Sequence, residues 1–259
     1  MAVTGAILGD IAGSQYEHRR PRDLDYKNCE IFTKDCHYTD DTVMTLAVKK
    51  ALQHSLDIAE TLQELGRKHP GAGFGWNFYE WLFSDNPQPY GSYGNGSAMR
   101  ASFVGEFFEN PEDVAEKAKE TAAVSHNHPE GIKGAVVTAM CVHMAIHKKS
   151  KEEIYNYVLE QYPPEEYKFS IDKDLEYIRT NYSWSATCMD SVAVAMRCFY
   201  ESDSYESFIR NVFSFRCDCD TLCAIGGGVA EEFYHGTGFD NETLLKKYLP
   251  EDLYQIWKD

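Results

Sequence analysis

Apolar residues recur along this chain at helical rather than strand spacing. Val3 to Ala12 is apolar and small, with glycines at 5, 9 and 13, so one stripe of the predicted helix is smooth enough for close packing on a neighbour. After the polar Tyr38-Thr39-Asp40-Asp41, two rows recur at fours, Val43/Ala47/Ala51 and Met44/Val48/Leu52, an amphipathic helix. Leu56 to Leu65 repeats the pattern, with Gly66 as its predicted end and Pro70 as a stop signal beyond. Pro111 to Val124 opens with Asn110 as N-cap, Pro111 at the first helical position and acids in the first turn. Pro129 to His147 is a long apolar helix carrying Ile132, Val136, Met140 and Met144. Further helical stretches are expected near 150–161, 171–180, 187–201, 204–213 and 221–234.

Strand signals are sparse, and nothing alternates strand with helix in the doubly wound manner. The pattern predicts an all-α chain. The Gly/Asn/Pro-rich stretches around 70–75 and 86–97 are too short and too varied for linkers, so they are expected as loops within a single domain spanning 1–259. No period of 20–50 residues suggests a solenoid.

Composition narrows the class. A hydrophobic share of 43% over 259 residues is enough for a sizeable core. Lys plus Arg is 25 against 41 Asp plus Glu, a net charge of −16, and no basic run of four occurs. Such a surface repels phosphate backbones and anionic lipid heads, which argues against charge-driven nucleic-acid binding. No apolar stretch approaches the length of a membrane span. The N-terminal apolar stretch lacks a preceding basic segment and is interrupted at Asp10, which predicts a cytoplasmic protein. Eight scattered cysteines, at 29, 36, 141, 188, 198, 217, 219 and 223, fit reduced thiols better than a disulfide framework.

Several polar clusters could carry chemistry. Thr39-Asp40-Asp41-Thr42 stands at a helix start, where a threonine cap and dipole-complementing acids explain it alone. Asp218-Cys219-Asp220-Thr221 stands before a second apolar helix. Brought together, the two clusters offer four carboxylates and two hydroxyls, a donor set for two hexacoordinate Mg²⁺ ions, and they would repel one another without cations. Cys217-x-Cys219-x₃-Cys223 lacks the paired knuckles of a zinc site and reads as buried or spectator thiols. Gly91-Ser92-Tyr93-Gly94-Asn95-Gly96-Ser97-Ala98-Met99-Arg100 runs from a glycine-rich loop into a helix, a junction suited to a pyrophosphate, though ordinary turns use the same residues. Ser125-His126-Asn127-His128-Pro129 is a polar loop between two helices, suited to a ligand or to capping. Glu17, after the glycine-spaced helix, is by itself an ordinary surface acid.

In this order, the segments G-D-I-A-G-S-Q-Y-E, Y-T-D-D-T, G-N-G-S-A-M-R, S-H-N-H and D-C-D-T-L-C-A-I-G-G-G resemble the ADP-ribosylglycohydrolase family, which includes the dinitrogenase reductase-activating glycohydrolase and the ADP-ribosyl-acceptor hydrolases. The resemblance runs from residue 5 to about 236, and the T-D-D-T and D-x-D-T pair is its most diagnostic part. It implies a compact all-α domain with a binuclear Mg²⁺ centre, Mn²⁺ being an alternative, at the floor of an ADP-ribose cleft. Carried over by motif, Thr39, Asp40, Asp41, Asp218, Asp220 and Thr221 would hold metal. Gly94, Asn95, Gly96 and Ser97 would line the pyrophosphate with Ala98 and Met99 beside it, and His126 and His128 would contact substrate. Asp41, Asp220 and Glu17 are the candidate catalytic carboxylates.

The implied reaction is hydrolysis of the glycosidic bond at the distal ribose, releasing ADP-ribose from a modified protein or small acceptor. Phe215-Arg216-Cys217 and Cys223 stand where many relatives have glycines, which leaves acceptor identity open while removing no oxygen ligand. A non-catalytic ADP-ribose-binding protein of the same fold, or a hydrolase of another ribosyl or nucleotide compound, is the alternative.

Overall fold

In the computed structural model, which describes residues 1–259, fifteen helices follow one another without a strand. The first eight are α1 (Ala2–Ser14), α2 (Asp40–Gln53), α3 (Ile58–Lys68), α4 (Trp76–Phe83), α5 (Gly96–Met99), α6 (Ser102–Phe107), α7 (Pro111–Ala123) and α8 (Pro129–Ile146). They are followed by α9 (Lys151–Gln161), α10 (Leu175–Asn181), α11 (Cys188–Tyr200), α12 (Tyr205–Phe213), α13 (Cys219–Tyr234), α14 (Asn241–Tyr248) and α15 (Glu251–Lys258). A lone antiparallel bridge pairs Gly94 with Thr187.

The glycine stripe of α1 determines the centre of the fold. Every residue of α1 is buried, as a helix apolar on all sides must be. Its partner is α13, packed so closely that a Cβ on Gly5 would stand 2.3 Å from the Gly227 carbonyl oxygen. One on Gly9 would stand 2.3 Å from the Cys223 carbonyl, and one on Gly13 2.5 Å from the Asp220 backbone. Spacing of four on α1 is thus matched turn by turn on α13, running the opposite way. The two helices touch backbone to backbone, which only glycine permits. Around this pair, α2 and α6 lie against α1, and α8, α11 and α12 against α13.

Helix starts follow local chemistry. Asn110 caps α7 through the Glu112 amide, with Pro111 behind it. Ser150 and Glu153 form a reciprocal capping box on α9. The structure corrects the reading in several places. Gly66 does not end α3, which continues to Lys68; the glycine lies within the helix because a Cβ there would press 2.7 Å from the Leu82 side chain. The helix expected from 171 starts at Leu175, held by the Asp174 cap. The one expected from 221 starts at Cys219. Helices α4, α14 and α15 are eight residues each, too short for an apolar period to stand out. No helix is long and apolar enough to cross a membrane.

Candidate active site

The antiparallel contact of α1 with α13 brings the C-terminal part of α1 beside the N-terminus of α13, and α2 starts at the same point. Thr39 is the N-cap of α2, accepting the Asp41 amide at 3.2 Å. The hydroxyl of Thr39 donates to Asp10 Oδ1 at 2.7 Å, and its amide donates to Asp10 Oδ2 at 2.9 Å. Thr42 donates to the same Oδ2 through its amide at 3.1 Å and through its hydroxyl. Asp10, fully buried on α1, therefore fixes the start of α2 with four hydrogen bonds. It lies in the G-D-I-A-G-S-Q-Y-E segment, and its signal in the sequence is an acid interrupting an otherwise apolar helix.

The two acid-plus-threonine clusters meet at this point. Thr221 on α13 donates to Asp41 Oδ2 on α2 at 3.2 Å, across 180 residues of chain. Carboxylate oxygens of Asp10, Asp41 and Asp220 lie within 4.8 Å of one another, and so do those of Glu17, Asp218 and Asp220. Asp220 belongs to both groups. Asp40 stands apart from them, facing the cleft beside Gly73 with its amide on the Ala72 carbonyl.

Electrostatics single out the same residues. Burial pushes Asp41 well above the usual carboxylate range, and the charges of Asp10, Asp40 and Asp218 push it further. Asp220 is raised likewise, by burial first and then by Asp218, Asp41 and Glu17. Asp40 is also raised, by burial and then by Asp10 and Asp218. Asp218 is raised to about 6 by burial, with Glu17 adding and the Asn95 amide opposing. Asp41 Oδ1 and Asp220 Oδ1 are buried with no hydrogen-bond donor at all. An acceptor buried without a donor is costly. Two of them converging among like charges, from two helices, are a donor set that a hard cation satisfies. The residues present fit a metal ion.

Above these acids opens a cleft of about 380 Å³, within the range of small-molecule sites. Glu17, Asp40, Asp218, Asp220 and Thr221 reach its wall; Thr39 and Asp41 lie beneath. Gly94, Asn95, Gly96 and Met99 form the opposite side, while Ser97 and Ala98 turn into the core, Ser97 donating to the Gly131 carbonyl at 2.7 Å. Asn95 ties the two sides together: its amide donates to Asp218 Oδ2 at 2.8 Å and Ser191 Oγ at 3.1 Å. His126 lines the cleft. His128 stands outside that lining, where its Nδ1 caps α8 through the Glu130 amide and its ring meets Tyr93 edge-on. Four aromatic residues that the motifs did not indicate, Trp76, Phe78, Tyr90 and Trp184, also line the cleft, as does the buried Arg100.

All eight cysteines are free thiols. Cys217 Sγ and Cys219 Sγ lie 3.4 Å apart in the core, and neither these nor Cys223 reaches the cleft. Burial pushes the Cys217 and Cys223 thiols well up, away from the thiolate that a soft metal requires.

An all-helical fold with a buried acid cluster beneath a glycine-walled cleft defines a recognisable class, and the chain belongs to it: the ADP-ribosylglycohydrolase family model matches residues 1–230. Among curated relatives, the ADP-ribosylhydrolase ARH3 of Homo sapiens is 28% identical over 183 residues, covering 58% of this chain and 50% of that protein. ARH3 of Gallus gallus is 29% identical over 188 residues, 59% and 51% of the two chains. The match thus spans about half the length of these relatives. A solved structure described as an ADP-ribosylglycohydrolase-related protein complex shares the fold with a TM-score of 0.72 at 20% identity, covering 98% of this chain and 93% of its own.

Proposed function

We propose that the chain, acting as one domain over 1–259, is a Mg²⁺-dependent hydrolase that cleaves the glycosidic bond between the distal ribose of ADP-ribose and an acceptor. The observation that carries this reading is the pair of orphaned carboxylate oxygens, on Asp41 beneath the cleft and on Asp220 in its wall. Family membership and the similarity to ARH3 support this substrate class. Asp10, Asp41 and Asp220 would hold one cation, and Glu17, Asp218 and Asp220 a second, with Thr39, Asp40 and Thr221 contributing oxygens around them. Bound cations supply charge to orient ribose hydroxyls and to activate water for attack at the anomeric carbon.

The chain's own residues do the rest. The glycine wall at Gly94 and Gly96 lets the pyrophosphate approach the backbone, with Asn95 and Met99 beside it. The transition state of glycoside cleavage has oxocarbenium character, and the carboxylates of Glu17 and Asp218 on the cleft wall stabilise positive charge growing on the ribose. Asp41 and Asp220 are 2% and 3% exposed, whereas the Glu17 side chain is 25% exposed. That access favours Glu17, through the carboxylate oxygen not given to the second cation, for exchanging a proton with water or with the leaving group, while the two buried aspartates serve the cation sites alone.

The test is release of free ADP-ribose from ADP-ribosylated acceptors, in Mg²⁺ and in EDTA. A panel of arginine, serine, O-acetyl-ADP-ribose and nucleic-acid-end linkages would identify the acceptor. Release that EDTA abolishes and Mg²⁺ restores is expected for at least one linkage. No release from any of them would overturn the reading.

A further inference from the structure

We infer that Arg100 and Ser125 are positioning residues that lock His126 as its Nε2–H tautomer, so that the ring presents a hydrogen-bond donor to an oxygen of the bound ADP-ribose. The contact with ligand rests on the function proposed above; the tautomer itself does not.

Arg100 is a fully buried cation with no carboxylate partner among the ion pairs of the protein. Its Nη2 donates to the Thr121 carbonyl at 2.9 Å and to Ser125 Oγ at 3.1 Å, while its guanidinium lies over the Phe78 ring, 5.5 Å from the centroid. Arginine can donate and never accept. The direction of its bond to Ser125 is therefore fixed, and the serine oxygen must be the acceptor.

Ser125 is fully buried, and its remaining partner is His126 Nδ1 at 2.8 Å. The hydroxyl has one hydrogen to place. If Nδ1 carried a proton, the serine oxygen would receive two donors and its own hydrogen would be left buried without an acceptor. With Nδ1 bare, the Arg100 Nη2 hydrogen is received by the serine oxygen and the serine hydrogen by Nδ1. The ring proton then sits on Nε2, and burial together with the Arg100 charge keeps the ring neutral.

Nε2 faces the glycine wall. A Cβ on Gly96 would stand 3.2 Å from it, and one on Gly94 3.6 Å. It has no partner within the protein, and the ring is flanked by Phe78 and Tyr90, with centroids 6.1 and 5.9 Å away. The donor is thus aimed at the side of the cleft assigned to ligand oxygens. A residue able to reverse its hydrogen bond, such as glutamine, would leave the tautomer open; a guanidinium cannot.

The experiment is a two-bond ¹H–¹⁵N correlation spectrum of protein labelled in histidine, with His126 assigned by its loss in His126→Gln. The wild type should show Nδ1 bare and Nε2 protonated. Ser125→Ala should shift the ring into tautomer exchange and weaken ADP-ribose in calorimetry by about three- to tenfold, one neutral hydrogen bond. Ser125→Thr, which keeps the hydroxyl, should restore both. A protonated Nδ1 in the wild type overturns the inference, as does Ser125→Ala with an unchanged ring and unchanged affinity. Should the wild type not bind ADP-ribose at all, the functional reading fails, and the spectrum still decides the relay.

Discussion

Asp218 and Asp220 flank Cys219 and follow Cys217, so four consecutive side chains divide between the cleft and the core. Oxygen ligation assigns them opposite sensitivities. Asp218→Asn and Asp220→Asn should each reduce ADP-ribose release by two orders of magnitude or more (roughly the loss of one metal-site charge from the transition state) while the chain stays folded in circular dichroism. Cys217→Ser and Cys219→Ser should retain Mg²⁺-dependent turnover, since Mg²⁺ prefers hard oxygen ligands. Elemental analysis with turnover of all four variants checks this; stoichiometric zinc lost only from the serine variants would reverse it. On the opposite wall, Gly96→Val would crowd His126 Nε2, already 3.2 Å from a Cβ, and titration calorimetry should show weaker ADP-ribose binding. At this scale the sequence disclosed the residues that lie in motifs, Thr39 to Asp41 and Asp218 to Thr221. It did not disclose Asp10 as the support of α2, or Arg100 as the support of the histidine loop. Each acts on partners about 20 to 30 positions away in sequence, and a single acid or arginine carries no pattern that announces such a contact.

Between elements, the glycines at 5, 9 and 13 make the strongest claim. A methyl group at Gly13 would enter the backbone of Asp220, where no side chain can swing aside. Gly13→Ala should therefore cost ~1–3 kcal/mol, as overpacking does, and should also weaken metal binding by displacing the first turn of α13. Gly71→Ala, with open space around it, should stay within about 0.5 kcal/mol of wild type. Chemical denaturation of both variants makes the comparison, and equal stabilities would contradict the close-packed seam. The stripe was visible in the sequence as a spacing of four; its partner was not, because α13 lies more than 200 residues away and its own glycines are consecutive rather than spaced. Gly66 shows the converse. A glycine near the end of an apolar period looks like a terminator, but here the need for room beside Leu82 decides.

For the molecule as a whole, the acid cluster links stability to pH and to metal. Asp218 binds its proton up to about pH 6 in the fold, against about 4 in an unfolded chain, and Asp41 and Asp220 shift in the same direction. A raised folded value means that the stabilisation is complete below pH ~4 and is lost as pH rises through 6 and beyond. In EDTA the melting temperature should fall from pH 5 to pH 7.5. Excess Mg²⁺ at pH 7.5 should restore it by about 5 to 10 °C when the ion is near a hundredfold above its dissociation constant. Calorimetry that shows no response to either pH or metal would contradict a cation site. The pairing of α1 with α13 also sets an order of events in the cell. At about 5 to 20 residues per second, the ribosome delivers α13 roughly ten to forty seconds after α1. Until then the N-terminal helix, apolar on every face, has no backbone groove to lie in, and the halves of the acid cluster cannot meet. The nascent chain must be kept from aggregating through α1, and the active site is born only once α13 has been delivered to it.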